Sequence, residues 1–169
     1  MVGKEPETGP TARTVAENIK HLRGLGNMNY TELSEQLQIL GRSINAVGVR
    51  RTESGERRVT PDDLLAFAVA LNVSPASLLM PDLPKVAQGD LVQISGWHVP
   101  IPAQHVWRWL TGTRPLVGDK LGTFIDRALP SWEREQQYTA EEQRRIQRHD
   151  QVLDELQGGG RRRKTDGDD

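Results

Sequence analysis

Residues 43–58 read SINAVGVRRTESGERR, and the interpretation of the whole chain depends on this stretch. Residues 41–58 hold five arginines and two glutamates, a local excess of three positive charges, although the net charge of the chain is −1. A glycine, Gly48, lies in the middle of the stretch. The segment is therefore either a short helix with a nucleic-acid-binding face or a polar turn between two better helices.

Helical signals lie on both sides of this stretch. Upstream, apolar residues at helical spacing predict helices over residues 14–23 and 30–40, with Gly41 just past the second. Downstream, VTPDDLLAFAVALNV begins with Thr60 as N-cap, a proline in the first helical position and two aspartates at the positive end of the helix dipole. SPASLLMP repeats this arrangement with Ser74 as the cap. We expect five short helices over residues 12–80 in one all-α unit, with a core built from Val15, Ile19, Leu22, Leu33, Leu37, Leu40, Leu64, Leu65, Phe67, Ala68, Leu71, Leu78 and Leu79.

The helices around the opening stretch have helix-turn-helix spacing. One helix ends at Gly41, a short connection follows, and a second short helix begins near Asn45, which can cap it. In such a unit one face of the second helix packs inward, here through Ile44 and Val49, and the other meets base edges in the major groove. The predicted base-reading residues are Asn45, Ala46, Val47, Arg50 and Arg51, because Asn suits adenine, Arg suits guanine and small apolar groups suit the thymine methyl. The predicted contacts to the DNA backbone are Tyr30, Thr31, Arg42, Ser43, Arg57 and Arg58.

The segments ENIKHLR, YTELSEQLQILGRSI and VRRTESGERRVTPDDLLAFAVALNVSPASLL resemble the Xre/lambda-repressor-like helix-turn-helix family, in particular regulators from actinobacteria and their phages. The resemblance covers residues 13–83, and its most specific part is an E-x-G-x-R pattern at Glu53, Gly55 and Arg57. It implies a five-helix fold with the third helix in the major groove. It also implies a sequence-specific regulator of transcription that binds double-stranded DNA, a repressor of phage or mobile-element type.

Three features depart from the family pattern. The turn after the second helix comes about three residues later than in compact members, over residues 38–43. Thr52 occupies the place where a large aliphatic residue usually anchors the recognition helix. Gly48 costs a helix about 1 kcal/mol relative to alanine. Either the third helix gains its stability from its neighbours, or the glycine allows close approach of a partner.

The rest of the chain is less regular. Residues 84–102 have alternating apolar positions, but four prolines nearby favour an irregular linker. Helices are expected over residues 103–110 and 120–129, and a long charged helix is expected to begin at Ser131 or at Thr139, whose capping box would include Glu142. The predicted organisation is a disordered arm (1–11), a helix-turn-helix domain (12–83), a linker (84–102), a smaller, mostly helical C-terminal region (103–157) and a disordered tail (158–169).

The C-terminal region offers candidate contacts to a protein partner or to a second copy of the chain. Trp107 and Trp109 lie about 200° apart on a helix, so one is expected to pack into a small core and the other to face either a partner or the helix-turn-helix unit. In the last helix, apolar residues fall at heptad-like positions over less than two heptads, and the alternative is a charged surface helix. The candidate residues are Trp107, Trp109, Ile146, Leu153 and Leu156. A homodimer formed through this region would place operator half-sites about 34 Å apart.

The sequence lacks the motifs that several classes of function require. The chain has no cysteine, which excludes disulfides and Cys-based zinc sites, and its four histidines are scattered, so no metal or other cofactor is expected. No phosphate loop or nucleophile elbow is present, and the composition does not suit a self-cleaving peptidase, so a non-enzyme is expected. With no membrane span or signal core, we expect a soluble, nucleoid-associated protein of the cytoplasm, in which the basic residues 161–164 add non-specific attraction to phosphates.

A second hypothesis belongs to another functional class. The chain would be a protein-interaction adaptor, or an antitoxin-like protein, that uses a helix-turn-helix-like domain to dock a protein such as a toxin, a repressor or a polymerase. The region around Trp107 and Trp109 and the last helix would then carry the function.

Overall fold

The structure is a computed structural model that describes residues 9–118 and 120–158, except the side chains of residues 146 and 149–158. The described chain is mostly helical. It divides into two compact units, one up to Gly118 and one from residue 119 onward. The elements are α1 (Pro10–Leu25), α2 (Tyr30–Ile39), α3 (Ala46–Glu53), α4 (Pro61–Ala70), α5 (Pro75–Leu79), β1 (Leu91–Val92), β2 (Ile101–Pro102), α6 (Ala103–Leu110), α7 (Leu121–Ala128) and α8 (Ser131–Gly158).

Local sequence sets the ends of helices α2, α4 and α5. The Asn29 side chain accepts hydrogen bonds from two backbone N–H groups of the first turn of α2, and Glu32 accepts one in return from the Asn29 N–H. The predicted caps Thr60 and Ser74 are confirmed, each followed by a proline in the first helical position. Gly41 has φ +79°, a left-handed conformation that glycine adopts without steric cost, and it ends α2 as predicted.

The first five helices enclose a core that agrees largely with the predicted apolar stripes. Its fully packed members are Val15, Ile19, Leu33, Leu37, Ile44, Val49, Phe67, Ala68 and Leu78, and the partly buried Leu22, Leu64, Leu71 and Leu79 lie against them. Two predicted core residues are exposed instead. Leu40 comes after the last residue of α2, and Leu65 lies about 200° around α4 from Phe67, on the outer face.

A buried asparagine joins the first helix to the end of the fifth. The Asn18 side-chain amide donates to the carbonyl oxygens of Ser77 (3.1 Å), Leu78 (3.0 Å) and Met80 (2.8 Å). A five-residue helix has almost no internal hydrogen bonds, so its terminal carbonyls need partners from elsewhere. Asn18 supplies these partners from α1, which fixes α5 against the core.

The segment predicted as an irregular linker, residues 84–102, is irregular apart from two short strands, but it packs into a core. β1 and β2 pair antiparallel, with Val92 opposite Ile101. A second core forms around them from Met80, Val92, Ile94, Ile101, Ala103 and Val106. The alternating apolar residues thus bury one side of the segment despite the prolines, because Pro102 lies at the end of β2, where the strand gives way to α6. The Ser95 N–H donates to the Thr11 hydroxyl (2.8 Å), so the segment also contacts the start of α1.

Helix α6 therefore belongs to the first unit rather than to a separate C-terminal region. Its buried residues are Ala103 and Val106, one helical turn apart. Trp107 and Trp109 flank this stripe and are 38% and 40% exposed. The prediction that one of the two tryptophans fills a core was wrong, because the smaller Val106 takes that position.

The second unit consists of α7 and α8. Ile125 is buried, and the Tyr138 hydroxyl donates to Asp126 (2.9 Å) and to the Gly122 carbonyl (3.3 Å). α8 begins at Ser131, the earlier of the two predicted starts. Thr139 lies inside the helix and donates to the Glu135 carbonyl instead of capping (2.9 Å).

Some predictions concern parts of the chain outside the described residues. The side chains of Ile146, Leu153 and Leu156 are among them, so the heptad seam stays a prediction. Residues 1–8 of the predicted arm and residues 159–169 of the predicted tail are outside as well. The predicted arm extended to residue 11, but α1 already begins at Pro10. Within residues 9–118 and 120–158, no helix is long and apolar enough to cross a membrane.

Replacing Asn18 with Ala should lower the free energy of unfolding by about 2–3 kcal/mol, because it leaves buried carbonyls at the end of α5 without donors. Chemical denaturation monitored by circular dichroism measures the change. Glu17→Ala is the matched control, since Glu17 is the exposed neighbour on the same helix. Equal stability of the two variants would show that Asn18 does not hold α5.

Candidate nucleic-acid interface

Helix α3 presents one face to the core and another to solvent. The Asn45 side chain caps the helix by accepting a hydrogen bond from the Gly48 N–H (2.8 Å). Ile44 and Val49 are buried, as predicted, and α3 packs against α2 and α1. The five predicted base-reading residues all retain accessible surface: Asn45, Val47, Arg50 and Arg51 are exposed and Ala46 is half-buried.

The two arginines of this face differ in their surroundings. Arg51 lies 3.6 Å from the carboxylate of Glu56, and both side chains are mostly exposed, so water weakens this ion pair. Arg50 has no carboxylate within salt-bridge distance in the described part of the chain. The outer face of α3 therefore carries two accessible guanidinium groups beside the amide of Asn45.

The packing around Gly48 explains why this helix contains a glycine. A Cβ atom at this position would lie 2.9 Å from Cγ2 of Ile44 and 3.3 Å from the Asn45 side-chain oxygen that caps the helix. Because Ile44 is β-branched and buried, its Cγ2 has little freedom to move away. The glycine thus allows the residue before the cap to fold back onto α3, and the close approach is internal to the protein.

Thr52 is completely buried, in the place where the resemblance to the helix-turn-helix family predicts a large aliphatic residue. Its hydroxyl donates to the Gly48 carbonyl (3.0 Å) and accepts from Nη1 of Arg57 (3.4 Å). The inner face of α3 is therefore partly polar and is joined to the segment that follows the helix.

Arg42 and Arg57 converge on one buried carboxylate. Nε of Arg42 lies 2.6 Å from Oδ1 of Asp63, and Nη2 of Arg57 lies 2.9 Å from Oδ2. The Asp63 side chain is fully buried and also accepts from the Thr60 N–H (3.3 Å). The sequence predicted both arginines as phosphate contacts, which remains a prediction, and it gave no sign of this shared partner.

The arginines determine the ionisation of Asp63. Burial alone would raise the pKa of its carboxyl. The hydrogen bond from Arg42, the Thr60 N–H and the positive charge of Arg57 outweigh this effect, and the pKa lies below its ordinary value. Asp63 is therefore a carboxylate at neutral pH, with both oxygens bound.

A second buried ion pair holds the far end of α3. Arg23 on α1 binds Glu53 through Nε (2.6 Å) and Nη2 (3.1 Å), and its Nη1 donates to the Met28 carbonyl (2.6 Å). The hydrogen bond to Glu53 raises the pKa of Arg23. Glu53 is the last residue of α3, and the sequence gave no sign that it anchors this helix to α1.

The other predicted backbone contacts lie around α2 and after α3. The ring of Tyr30 is partly buried, with the Arg23 guanidinium 4.3 Å from its centroid. The Thr31 N–H donates to the Asn29 cap (2.8 Å), which leaves the exposed hydroxyl as its free donor for a ligand. Ser43 and Arg58 are exposed, in the connections before and after α3.

A separate apolar groove lies beside α6 in the same unit. It has a volume of about 330 Å³ and is lined by Met80, Leu83, Val86, Ala87, Gln88, Ala103, Gln104, Trp107 and Arg108. Trp107 is thus an exposed wall of this groove. Among the described residues, no group of three histidines, aspartates or glutamates is arranged to hold a metal ion.

Comparison of this chain with protein-family models, with curated proteins and with solved structures finds no match.

Replacing Gly48 with Ala tests the packing of α3. Alanine favours a helix, but the added Cβ meets Ile44, so we expect the free energy of unfolding to fall by about 1 kcal/mol or more. Gly24→Ala is the matched control, because Gly24 is also helical and has no atom within 4 Å of an added Cβ. That variant should gain up to about 1 kcal/mol. A stabilised Gly48→Ala would contradict the role given to Ile44.

The lowered pKa of Asp63 predicts a loss of stability in acid. The contribution of Asp63 is complete above its unfolded pKa of about 3.9 and is lost as the pH falls through the lower pKa of the folded state. Denaturation midpoints measured from pH 6 to pH 2 should fall more steeply below about pH 4 in the wild type than in Asp63→Asn. Asp62→Asn, an exposed neighbour, should keep the steep dependence of the wild type.

Proposed function

We propose that this protein is a sequence-specific DNA-binding regulator of transcription of the Xre/lambda-repressor-like helix-turn-helix type, a repressor of phage or mobile-element kind. The observation that carries the proposal is the exposed face of α3, with Asn45, Arg50 and Arg51, on a helix that two buried ion pairs hold in place. A surface that is both basic and rigid suits the recognition of base edges, which requires fixed donors and acceptors.

The chemistry of the face agrees with reading in the major groove. Arg50 and Arg51 offer forked donors for O6 and N7 of guanine, and the Asn45 amide retains donor groups while its oxygen caps the helix. Val47, which is exposed near the start of α3, is an apolar group of the kind that contacts a thymine methyl. These residues extend from the N-cap to the last turn of the eight-residue helix, so α3 would lie along the groove over most of its length.

The proposed backbone contacts surround this helix along the chain. Ser43 precedes α3 and Arg58 follows it, and the hydroxyl of Thr31 lies at the start of α2. Arg42 and Arg57 are 38% and 32% exposed, so each keeps part of its guanidinium accessible while it binds Asp63. Such contacts would fix the register of the protein on the duplex without reading its sequence.

A second candidate function rests on a different observation, the groove beside Trp107. An exposed tryptophan next to an apolar cavity is typical of a site that receives a protein side chain. An adaptor or antitoxin-like protein would use this groove. It would not need the exposed arginines of α3 for sequence discrimination.

Selection of bound duplexes from a random or genomic pool, followed by fluorescence anisotropy at several salt concentrations, tests the proposal. The wild type should select a preferred sequence. Replacing Arg50 and Arg51 together with Ala should lower the affinity for that sequence by about 100-fold or more, because each bidentate contact to guanine contributes about 1–3 kcal/mol of discrimination.

The matched control replaces Arg144 and Arg145 on α8 with Ala, which removes the same charge from the second unit. This variant should keep the preference of the wild type. If the Arg50 and Arg51 variant selects the same sequence with the same discrimination, α3 does not read bases. If the wild type selects no sequence, the adaptor function is favoured.

A further inference from the structure

The segments before and after α3 each contribute an arginine that binds the same side chain, Asp63. Arg42 lies four residues before the first residue of α3, and Arg57 lies four residues after the last. Each binds a different oxygen of Asp63, at 2.6 Å and 2.9 Å. The entry to the helix and the exit from it are thus fixed to a single point on α4.

That point is itself rigid. Asp63 belongs to a capping box in which the Thr60 hydroxyl accepts from the Asp63 N–H (3.2 Å) and the Asp63 carboxylate accepts from the Thr60 N–H. One turn further along α4, Phe67 is fully buried in the core. Nη2 of Arg42 also donates to the Thr60 hydroxyl (3.3 Å), so the arginine binds both members of the box.

The same network continues into the interior of α3. Nη1 of Arg57 donates to the Thr52 hydroxyl, which donates to the Gly48 carbonyl one turn earlier. Gly48 lies between Val47 and Arg50 on the chain, within the proposed base-reading segment. A chain of hydrogen bonds therefore runs from the buried carboxylate to the backbone of the helix that carries the reading side chains.

We infer that Asp63 is a positioning residue for sequence discrimination: it holds α3 at the angle at which its exposed side chains meet base edges. The inference rests on the proposed function of α3. Asp63 itself is buried and makes no contact with DNA. Its removal should therefore change which sequence is preferred, and by how much, more than the general attraction to phosphates.

This role differs measurably from a direct phosphate contact of the two arginines. If Arg42 and Arg57 act chiefly on phosphates, replacing either weakens binding to all sequences alike and makes the salt dependence shallower by about one unit. If they also act through Asp63 on the helix, the ratio of affinities for preferred and unrelated duplexes falls in addition, which the loss of a phosphate contact alone does not produce.

The variant Asp63→Asn is tested against Asp62→Asn, which makes the same charge change in the same helical turn. The Asp62 side chain is 81% exposed and lies 4.0 Å from Nη1 of Arg42, so water screens this pair, whereas the pair with Asp63 is buried on the carboxylate side. The first measurement uses the free protein. Hydrogen exchange of the amides of α3 should become about tenfold faster or more in Asp63→Asn, while the control stays within about twofold of the wild type.

The second measurement uses the duplex that the wild type prefers and an unrelated duplex of equal length. Asp63→Asn should lower the ratio of the two affinities by about tenfold or more, with the affinity for the unrelated duplex changed by less than about threefold. Arg42→Gln and Arg57→Gln each leave Asp63 one arginine. If Asp63→Asn does not fold, these two variants carry the same test, with a smaller fall in the affinity ratio because one ion pair remains.

The inference is overturned if hydrogen exchange of the α3 amides is unchanged in Asp63→Asn, Arg42→Gln and Arg57→Gln, whatever the DNA measurements give. It is also overturned if the two arginine variants lose affinity equally for both duplexes and show a shallower salt slope. A wild type that prefers no sequence refutes the proposed function itself, and faster exchange in Asp63→Asn would then report only a structural ion pair.

Discussion

The position of α3, the helix proposed to read DNA, depends on how the buried carboxylate of Asp63 is neutralised. A carboxylate removed from water is stable only when charges and hydrogen bonds replace its hydration, and Asp63 finds them in Arg42, Arg57 and the Thr60 N–H. These partners come from both sides of α3 and from the start of α4. The contacts that compensate the charge of Asp63 are therefore the same contacts that hold the segments on either side of α3.

Helix α3 has little stability of its own. It has eight residues, a glycine in its first turn and two adjacent arginines, and isolated helices of this length are marginal in water. Its order must come from tertiary contacts. Asp63 contributes indirectly on one side, through Arg57 and the Thr52 hydroxyl, and the bidentate pair between Arg23 and Glu53 acts at the other end. Gly48 removes the one Cβ that would push Ile44, and with it the preceding turn, away from the helix.

The first unit is larger than its five helices. Residues 84–118 add a two-stranded pair, a second core and α6, and Met80 joins this core directly after α5. The groove lined by Trp107 lies in this added part, away in sequence from α3. Two surfaces with different chemistry, one basic and one apolar, thus belong to one compact body.

Apolar periodicity and helix caps by themselves determined that residues 12–80 hold five helices and identified most of their core, although α1 begins at Pro10 and Leu40 and Leu65 are exposed. They also identified the outward face of α3, because these signals act over a few residues. The sequence did not reveal that Arg42 and Arg57 bind the buried carboxylate of Asp63, or that Glu53 pairs with Arg23. Nor did it reveal that residues 84–102 pack rather than link, or that Val106 excludes both tryptophans from the core. Those outcomes depend on contacts between residues distant along the chain, and only the tertiary structure decides which charges meet inside a core and which remain in water.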